Sequence, residues 1–284
     1  MKTEKFHEIY RVSRLDTIPR RSELPRDRFS FLPSYRRHVV NRSFLRSGWA
    51  DLEKYVSDQN RGVPMPYVQM PLNGDRIPLP PPGGDGVTLR RAIESRESRR
   101  AFLPEPLNAG ELAWLIRCVA GVRRTMHRQG AGVITLRTVP SAGARHPLET
   151  LVAVLDVKGL DPGLYRYMPL EDSLVNTGMN PSREDVTGAC LGQRFCGSAS
   201  AVFIWTAVPY RTEWRYGPVS PKLIALDAGH ACQNLYLAVE AVSAGTCAIG
   251  AYDQKLADAM CGLDGEDEFV IYMAPVGKVS AAES

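Results

Sequence analysis

Three stretches of this chain combine residue types that hold anions or lie against flat rings. The first is Ser95-Arg96-Glu97-Ser98-Arg99-Arg100-Ala101-Phe102. Arg96, Ser98 and Arg100 alternate where a helix runs out into extended chain, so two guanidinium groups and a hydroxyl can converge on one phosphate. Arginine suits that task because its planar fork makes paired bonds to phosphate oxygens. Such a cluster, taken alone, is also what a solvated helix end looks like. The second stretch is Pro140-Ser141-Ala142-Gly143-Ala144-Arg145-His146-Pro147-Leu148-Glu149. Its small residues let backbone N–H groups approach a flat ligand, and Ser141 adds a donor and an acceptor. An ordinary turn would read the same way, and His146 by itself reads as structural. The third is Gly245-Thr246-Cys247-Ala248-Ile249-Gly250, where small residues permit close packing of helix on sheet or of ligand on backbone. Lys278, in the closing PVGK, can add charge to a phosphate site or be solvated.

Several other signals lack a part they need. Gly245 to Gly250 has P-loop glycine spacing but continues Ala-Tyr instead of Lys-Ser/Thr. Gly130 and Gly132 lack the third glycine of a dinucleotide fingerprint. The six cysteines (Cys118, Cys190, Cys196, Cys232, Cys247, Cys261) contain no C-x-x-C pair, and His127, His146 and His230 are isolated. No metal site is expected, and the cysteines read as small hydrophobes of a reducing compartment.

The elements that must carry these residues begin at Thr88, which can cap a helix with Leu89, Ala92 and Ile93 as its apolar positions. Asn108 and Glu111 have capping-box spacing, and Leu112, Leu115, Ile116 and Val119 follow with helical period up to Gly121. Residues 133–139 and 149–157 read as strands, 163–178 as strand, turn and strand, and 200–208 as a buried strand. A long helix is expected over about 220–244, with Leu223, Leu226, Leu235, Val239 and Val242 inward. A short strand (246–250), a helix over 254–261 and a strand over 269–277 close the chain. The irregular alternation, with a hairpin inside, favours α+β around a mixed or antiparallel sheet flanked by helices. The expected division is an N-terminal extension with a Pro-rich linker over 1–86 and a main domain over 87–284. A helix over 42–58 is expected in the extension. Residues 63–86 should run extended, lying on the main domain or linking to it.

Composition excludes whole function classes. With 44% hydrophobic and 23% charged residues the chain is globular, neither disordered nor a disulfide knot. No apolar run approaches the roughly 20 residues of a membrane span, and the charged N-terminus does not read as a signal peptide. A soluble cytoplasmic protein is expected. The net charge of +4 is uneven, since residues 1–61 hold 14 Lys and Arg against 8 Asp and Glu. That arm is either solvated or a surface for an acidic partner or leader peptide. Nucleic acid is not expected, because no recognition motif accompanies the charge.

In order, SRESRRAF with the EPLNAGELAWLI helix, PSAGARHPLE, GLYRY, DAGHACQNLYLAVEAVSAGTCAIGAYD and YMAPVGK resemble the flavin-dependent nitroreductase superfamily. The resemblance covers roughly residues 75–279 and is strongest to the SagB-type (McbC-like) dehydrogenases. It implies a nitroreductase-like α+β fold that binds FMN, in a homodimer holding the flavin near the subunit interface. By position it places Arg96, Ser98 and Arg100 on the FMN phosphate and ribityl chain. It sets Pro140, Ser141, Ala142 and Gly143 against the isoalloxazine, Ala248, Ile249 and Gly250 on another side, and Lys278 near the phosphate. Such enzymes resemble azoline oxidases, which turn peptide thiazolines or oxazolines into aromatic azoles, commonly with dioxygen reoxidising the flavin. A Lys-Tyr pair often precedes their long helix; here it reads Arg215-Tyr216. Arginine does not in practice release its proton, so Tyr216 is the expected base and Arg215 its electrostatic helper.

The leading expectation is an FMN-dependent dehydrogenase or oxidase of natural-product biosynthesis acting on a peptide- or carrier-bound heterocycle, with partner enzymes possible. One alternative is an NAD(P)H-dependent nitro- or quinone reductase. The other is a non-catalytic scaffold of the same fold in a biosynthetic complex.

Overall fold

The structure is a computed structural model, and it describes residues 44–280 apart from 46, 47, 53, 85 and 129–131. The chain divides into a unit 1–46, of which only Phe44 and Leu45 are described, and a compact unit 47–284, to which the following applies.

Its centre is a seven-stranded sheet of β1 (Ile77–Pro78), β5 (Leu148–Val154), β7 (Gly163–Met168), β8 (Ser173–Asn176), β9 (Ala201–Ala207), β10 (Ala244–Thr246) and β11 (Phe269–Lys278). Their order is β1-β8-β7-β5-β9-β11-β10, antiparallel at every pairing. Two short strands, β2 (Leu107–Asn108) and β6 (Val157–Lys158), pair in parallel beside it. Period-2 alternation sends Val152, Val154, Phe203, Trp205, Ala274 and Val276 to one face, under the long helices α3 (Ala109–Ala120) and α7 (Ser220–Ala238). Leu151, Ala153, Val202, Ile204 and Met273 go to the other, under α4 (Arg183–Ala189), α5 (Arg194–Gly197) and α8 (Gln254–Cys261). Because both faces are covered, β9 reads as an unbroken apolar run, AVFIWTA, every residue of it buried.

The helix starts follow the sequence. The Thr88 side chain accepts the Arg91 amide at the head of α2 (Leu89–Ser95). Asn108 and Glu111 close a full capping box on α3, a feature that contributes about 1 kcal/mol. The long helix runs from Ser220 to Ala238 and tightens into a 3-10 turn over Val239–Val242. The short strand expected over 246–250 lies earlier, at Ala244–Thr246.

Three expectations are corrected, and one strand lies where the sequence pattern marks none. In place of one helix over 42–58, the described residues hold helical Phe44 and Leu45 and a separate α1 (Trp49–Leu52), and Tyr55 to Ser57 are not helical. Val122–Arg128 is a strand, β3, paired with β4 (Gly132–Arg137) in a separate hairpin whose Arg123, Arg124 and Thr125 are exposed. On α7, Leu226 is half exposed, and its neighbour Asp227 takes the inward place. Leu89 and Ile93 on α2 are exposed and only Ala92 is buried, because α2 packs through one narrow stripe.

The segment 63–86 lies on the main domain. Ile77 and Pro78 extend the sheet beside β8, Arg117 donates to the carbonyls of Pro80 and Leu79, and the Gly83 amide donates to Gly110. No helix among the described residues is long and apolar enough to cross a membrane.

Candidate functional site

The residues singled out from the sequence gather in two clusters, both fastened to α7. At its C-terminal part, Tyr236 ties the first and third stretches together. Its hydroxyl accepts the Ala248 amide at 2.8 Å and shares a hydrogen bond of 3.0 Å with the Ser98 hydroxyl. The Arg96 guanidinium lies 5.4 Å from the centre of its ring, a cation–π contact. Ser98 bridges in parallel to Thr246, and the Arg99 amide donates to the Thr246 carbonyl. A side chain at Gly245 would collide with Arg99, and one at Gly277 with Phe102, so these glycines let residues 98–102 cross the sheet end closely. Ser98 and Arg100 are exposed, and Arg96 is half-buried. This donor set, two guanidinium groups and a hydroxyl, suits a phosphate monoester.

The rest of the third stretch is less open than expected. The Ile249 amide and carbonyl are both engaged by Met273, so Ile249 does not offer its backbone to a ligand. The Ala248 amide is already given to Tyr236, whereas Gly250 is exposed and a Cβ there would touch nothing. Lys278 differs more. Its ammonium is buried and bound to Glu111 at 2.6 Å and to the Val242 carbonyl at 2.8 Å, which locks the end of β11 to α3. Its charge is compensated inside the chain instead of facing a phosphate.

The second cluster lies toward the N-terminal part of α7, where buried Asp227 holds the second stretch. The Ser141 hydroxyl donates to Asp227 Oδ2 at 2.5 Å, and the Ala142 amide makes a long bond of 3.4 Å to Oδ1. Burial raises the Asp227 carboxyl, and the bonds from Ser141 and Ala142 partly offset that. The turn that follows carries positive φ at Gly143, Ala144 and His146, a conformation costly for the two non-glycine residues. Its amides are used internally: Ala144 to the Ser141 carbonyl, Arg145 to the Ala142 carbonyl, His146 to Ser141 Oγ. His146 is buried against the Thr135 carbonyl at 3.0 Å; burial, then Arg137, lowers its pKa to about 3, so the ring is neutral. Pro140 is exposed at the mouth of a cavity of about 20 Å³, room for one water molecule. Trp205, Arg137 and Thr150 also line it, and the buried Trp205 indole N–H has no protein partner among the described residues.

Tyr216 joins this second cluster at the end of α6 (Tyr210–Tyr216). Its ring and hydroxyl pack directly on Gly143: a Cβ placed there would stand 2.5 Å from Tyr216 Oη. Arg215 lies over the Tyr216 ring, 5.3 Å from its centre, so it stacks on the ring face. Beneath the turn, Glu149 accepts from Arg211 Nη2 and lies 3.6 Å from Arg166, which also pairs with Glu268 at 2.9 and 3.1 Å. Burial pushes the Glu149 carboxyl up, but Arg211 and Arg166 beside it prevail and hold it below its ordinary value.

The two clusters do not converge within one chain. Asp227 and Tyr236 are nine residues apart on α7, which amounts to about 13.5 Å of rise and two and a half turns, so they point to opposite sides of the helix. The stretches 96–100 and 246–250 meet; the stretch 140–143 meets Tyr216 elsewhere. Asp227 and Tyr236 lie in the stretch 227–253 that carries the family resemblance, but neither spacing nor periodicity gives either a role, because both are polar groups on a helix whose pattern is its apolar stripe.

Comparison with known proteins places this arrangement. The nitroreductase family model matches residues 93–278. MJ1384 of Methanocaldococcus jannaschii, named for the nitroreductases, is 31% identical over 206 residues, covering 72% of this chain and 98% of its own. The trifolitoxin-processing protein TfxB of Rhizobium leguminosarum bv. trifolii is 28% identical over 148 residues, or 50% of this chain and 39% of TfxB. Among solved structures, one from Anabaena variabilis, classed with the nitroreductases, has a TM-score of 0.56 at 29% identity over 67% of this chain; the match spans only 38% of that chain. A chain of the Escherichia coli microcin synthetase McbBCD complex has a TM-score of 0.54 at 13% identity, over 87% of this chain and 97% of that one, a likeness of fold. The family match, the archaeal relative and the shared fold agree, and the chain belongs to the nitroreductase family.

Proposed function

We propose that the protein is an FMN-dependent dehydrogenase or oxidase that desaturates a peptide- or carrier-bound heterocycle, of the azoline-to-azole type, in natural-product biosynthesis. The observation that carries the reading is the packing of Tyr216 on Gly143, which sets a proton acceptor against the small-residue turn suited to a flat ring.

The residues present fit FMN in their chemistry. Arg96, Ser98 and Arg100 would hold the phosphate, with Gly250 as a close backbone approach. Ser141, Ala142 and Gly143, with Pro140 beside them, would lie against the isoalloxazine. When bound, the flavin supplies a hydride acceptor. Tyr216, as the phenolate, would take the proton from the neighbouring ring carbon and become the neutral phenol, so that the substrate ring loses one proton and one hydride in all. Arg215, stacked on the Tyr216 ring, would set a guanidinium against that base. Asp227 orients the turn and takes no part in bond-making.

The opposed clusters support a homodimer. One chain's Arg96–Arg100 set and a second chain's Ser141 turn would complete a site that neither completes alone. The half-exposed Leu226 on α7 and the exposed Leu89 and Ile93 on α2 supply apolar surface for such contact. A peptide substrate is favoured by the likeness to TfxB, named for processing trifolitoxin, and to the microcin synthetase complex, whose structure holds truncated pro-MccB17.

Tyr216→Phe tests the assignment. It should abolish oxidation of a thiazoline peptide and leave the bound-flavin spectrum unchanged; undiminished turnover would refute it. A second reading, an NAD(P)H-dependent nitro- or quinone reductase, is favoured by the near-complete coverage of MJ1384. Rapid bleaching of the flavin by NADPH would select it, and indifference to NADPH would select the oxidase.

A further inference from the structure

Residues 49–63 form a strap across α6, the helix that ends in Arg215 and Tyr216. It is fastened at several points. The Gln59 amide donates to the Trp214 carbonyl at 3.0 Å, Trp214 Nε1 donates to the Val63 carbonyl at 2.9 Å, and the Tyr210 hydroxyl donates to Asp58 at 3.0 Å. The Tyr55 ring packs so tightly on Gly217 that a side chain there would collide with it, and Gly217 has a φ of +45°. At the head of the strap Trp49 meets Tyr216 edge to face, with centroids 6.2 Å apart and planes at 85°.

Trp49 is 53% exposed, whereas Trp205 and Trp214 are buried and Trp114 is half-buried. An indole this large is ordinarily covered on folding, because its area dominates burial energetics. Here the chain places it against Tyr216 and leaves half of its surface open. Trp49, the Arg215 guanidinium and the Gly143 turn each contact Tyr216, so an aromatic ring, a cation and a small-residue turn surround one phenol. Those groups together recognise a planar, weakly polar ring, by offset stacking and by exclusion of water around it.

We propose that Trp49 is a substrate-recognition residue, the wall on which the five-membered heterocycle of the substrate stacks beside Tyr216. This rests on the proposed reaction, and it assigns the N-terminal strap to substrate binding.

The test uses the full-length, flavin-loaded protein and a short peptide carrying a thiazole ring, the oxidised form of the substrate heterocycle and so not turned over, with the uncyclised cysteine peptide as control, measured by calorimetry. Trp49→Ala should weaken thiazole-peptide binding about tenfold, leave the control's affinity unchanged and leave flavin content unchanged. Trp49→Phe should restore most of the affinity, because it restores a stacking face. Equal thiazole-peptide affinity for wild type and Trp49→Ala, with flavin retained, would overturn the role of Trp49 and leave the reaction standing. Thiazole-peptide binding no tighter than the control's would also overturn it. Failure of the wild type to hold flavin would overturn both.

Discussion

Ser141 and Asp227 form a short, directional pair: the serine hydroxyl donates a hydrogen bond to the carboxylate at 2.5 Å and accepts one from the His146 amide at 2.9 Å on the same oxygen. One hydroxyl thus closes a turn that contains three residues at positive φ and fastens it to α7. Removing the carboxylate leaves a hydroxyl and an amide without their acceptor. Asp227→Ala should cost about 1–3 kcal/mol in urea unfolding and weaken flavin retention; Asp227→Asn, which keeps an acceptor, should cost less.

His146 makes stability depend on pH in a defined window. Its folded pKa, about 3, lies below the ordinary 6.5, because burial and then Arg137 disfavour the imidazolium. The unfolded chain therefore binds the extra proton as pH falls below 6.5. Stability from this group is complete above that pH and is lost toward pH 3, with a slope approaching about 1.4 kcal/mol per unit. Urea unfolding at pH 7 and pH 5 should show the loss. His146→Gln should flatten it, since Glu149 begins to contribute only at lower pH.

The sub-sheet ion pairs should be intolerant of single changes. Arg211 is 2% exposed and shares Glu149 with Arg166. Glu149→Gln leaves a buried guanidinium without its counter-charge and should cost about 3–5 kcal/mol. The double variant Glu149→Met with Arg211→Met should recover part of that loss in a thermal melt.

Much of the fold was legible because local chemistry and tertiary packing agree there. Thr88, Asn108 and Glu111 cap the helices their types predict, and the unbroken apolar run of β9 marks a strand covered on both faces. Where the two disagree, packing prevails. Helical period places Leu226 inward, yet Asp227 is buried instead, because Ser141, 86 residues away in sequence, provides a partner no local pattern reveals. Lys278 resembles a free cation until Glu111, 167 residues away, is found against it. The strand Val122–Arg128 has no alternating pattern because its hairpin leaves Arg123, Arg124 and Thr125 in solvent. The phosphate-type set was visible as alternating residues, but the Tyr236 that ties it to Ala248 was hidden in a helix.

Gly143 offers a substitution that acts on Tyr216 without replacing it. A methyl group there would stand 2.5 Å from the phenolic oxygen and would also sit on a backbone at φ +57°. Gly143→Ala should displace the Tyr216 ring, reduce substrate oxidation at least tenfold and cost about 1 kcal/mol of stability. Paired turnover and unfolding measurements on the same preparation separate the two effects.

The account stands on a phosphate-bearing flavin held by Arg96, Ser98 and Arg100, and titrating the deflavinated protein with FMN while following flavin fluorescence tests that most directly. Saturable binding of one FMN per chain is predicted, weakened at least tenfold in Arg96→Ala and Arg100→Ala, with riboflavin, which lacks the phosphate, binding far less tightly. Absence of FMN binding, or equal affinity for riboflavin and FMN, would contradict it.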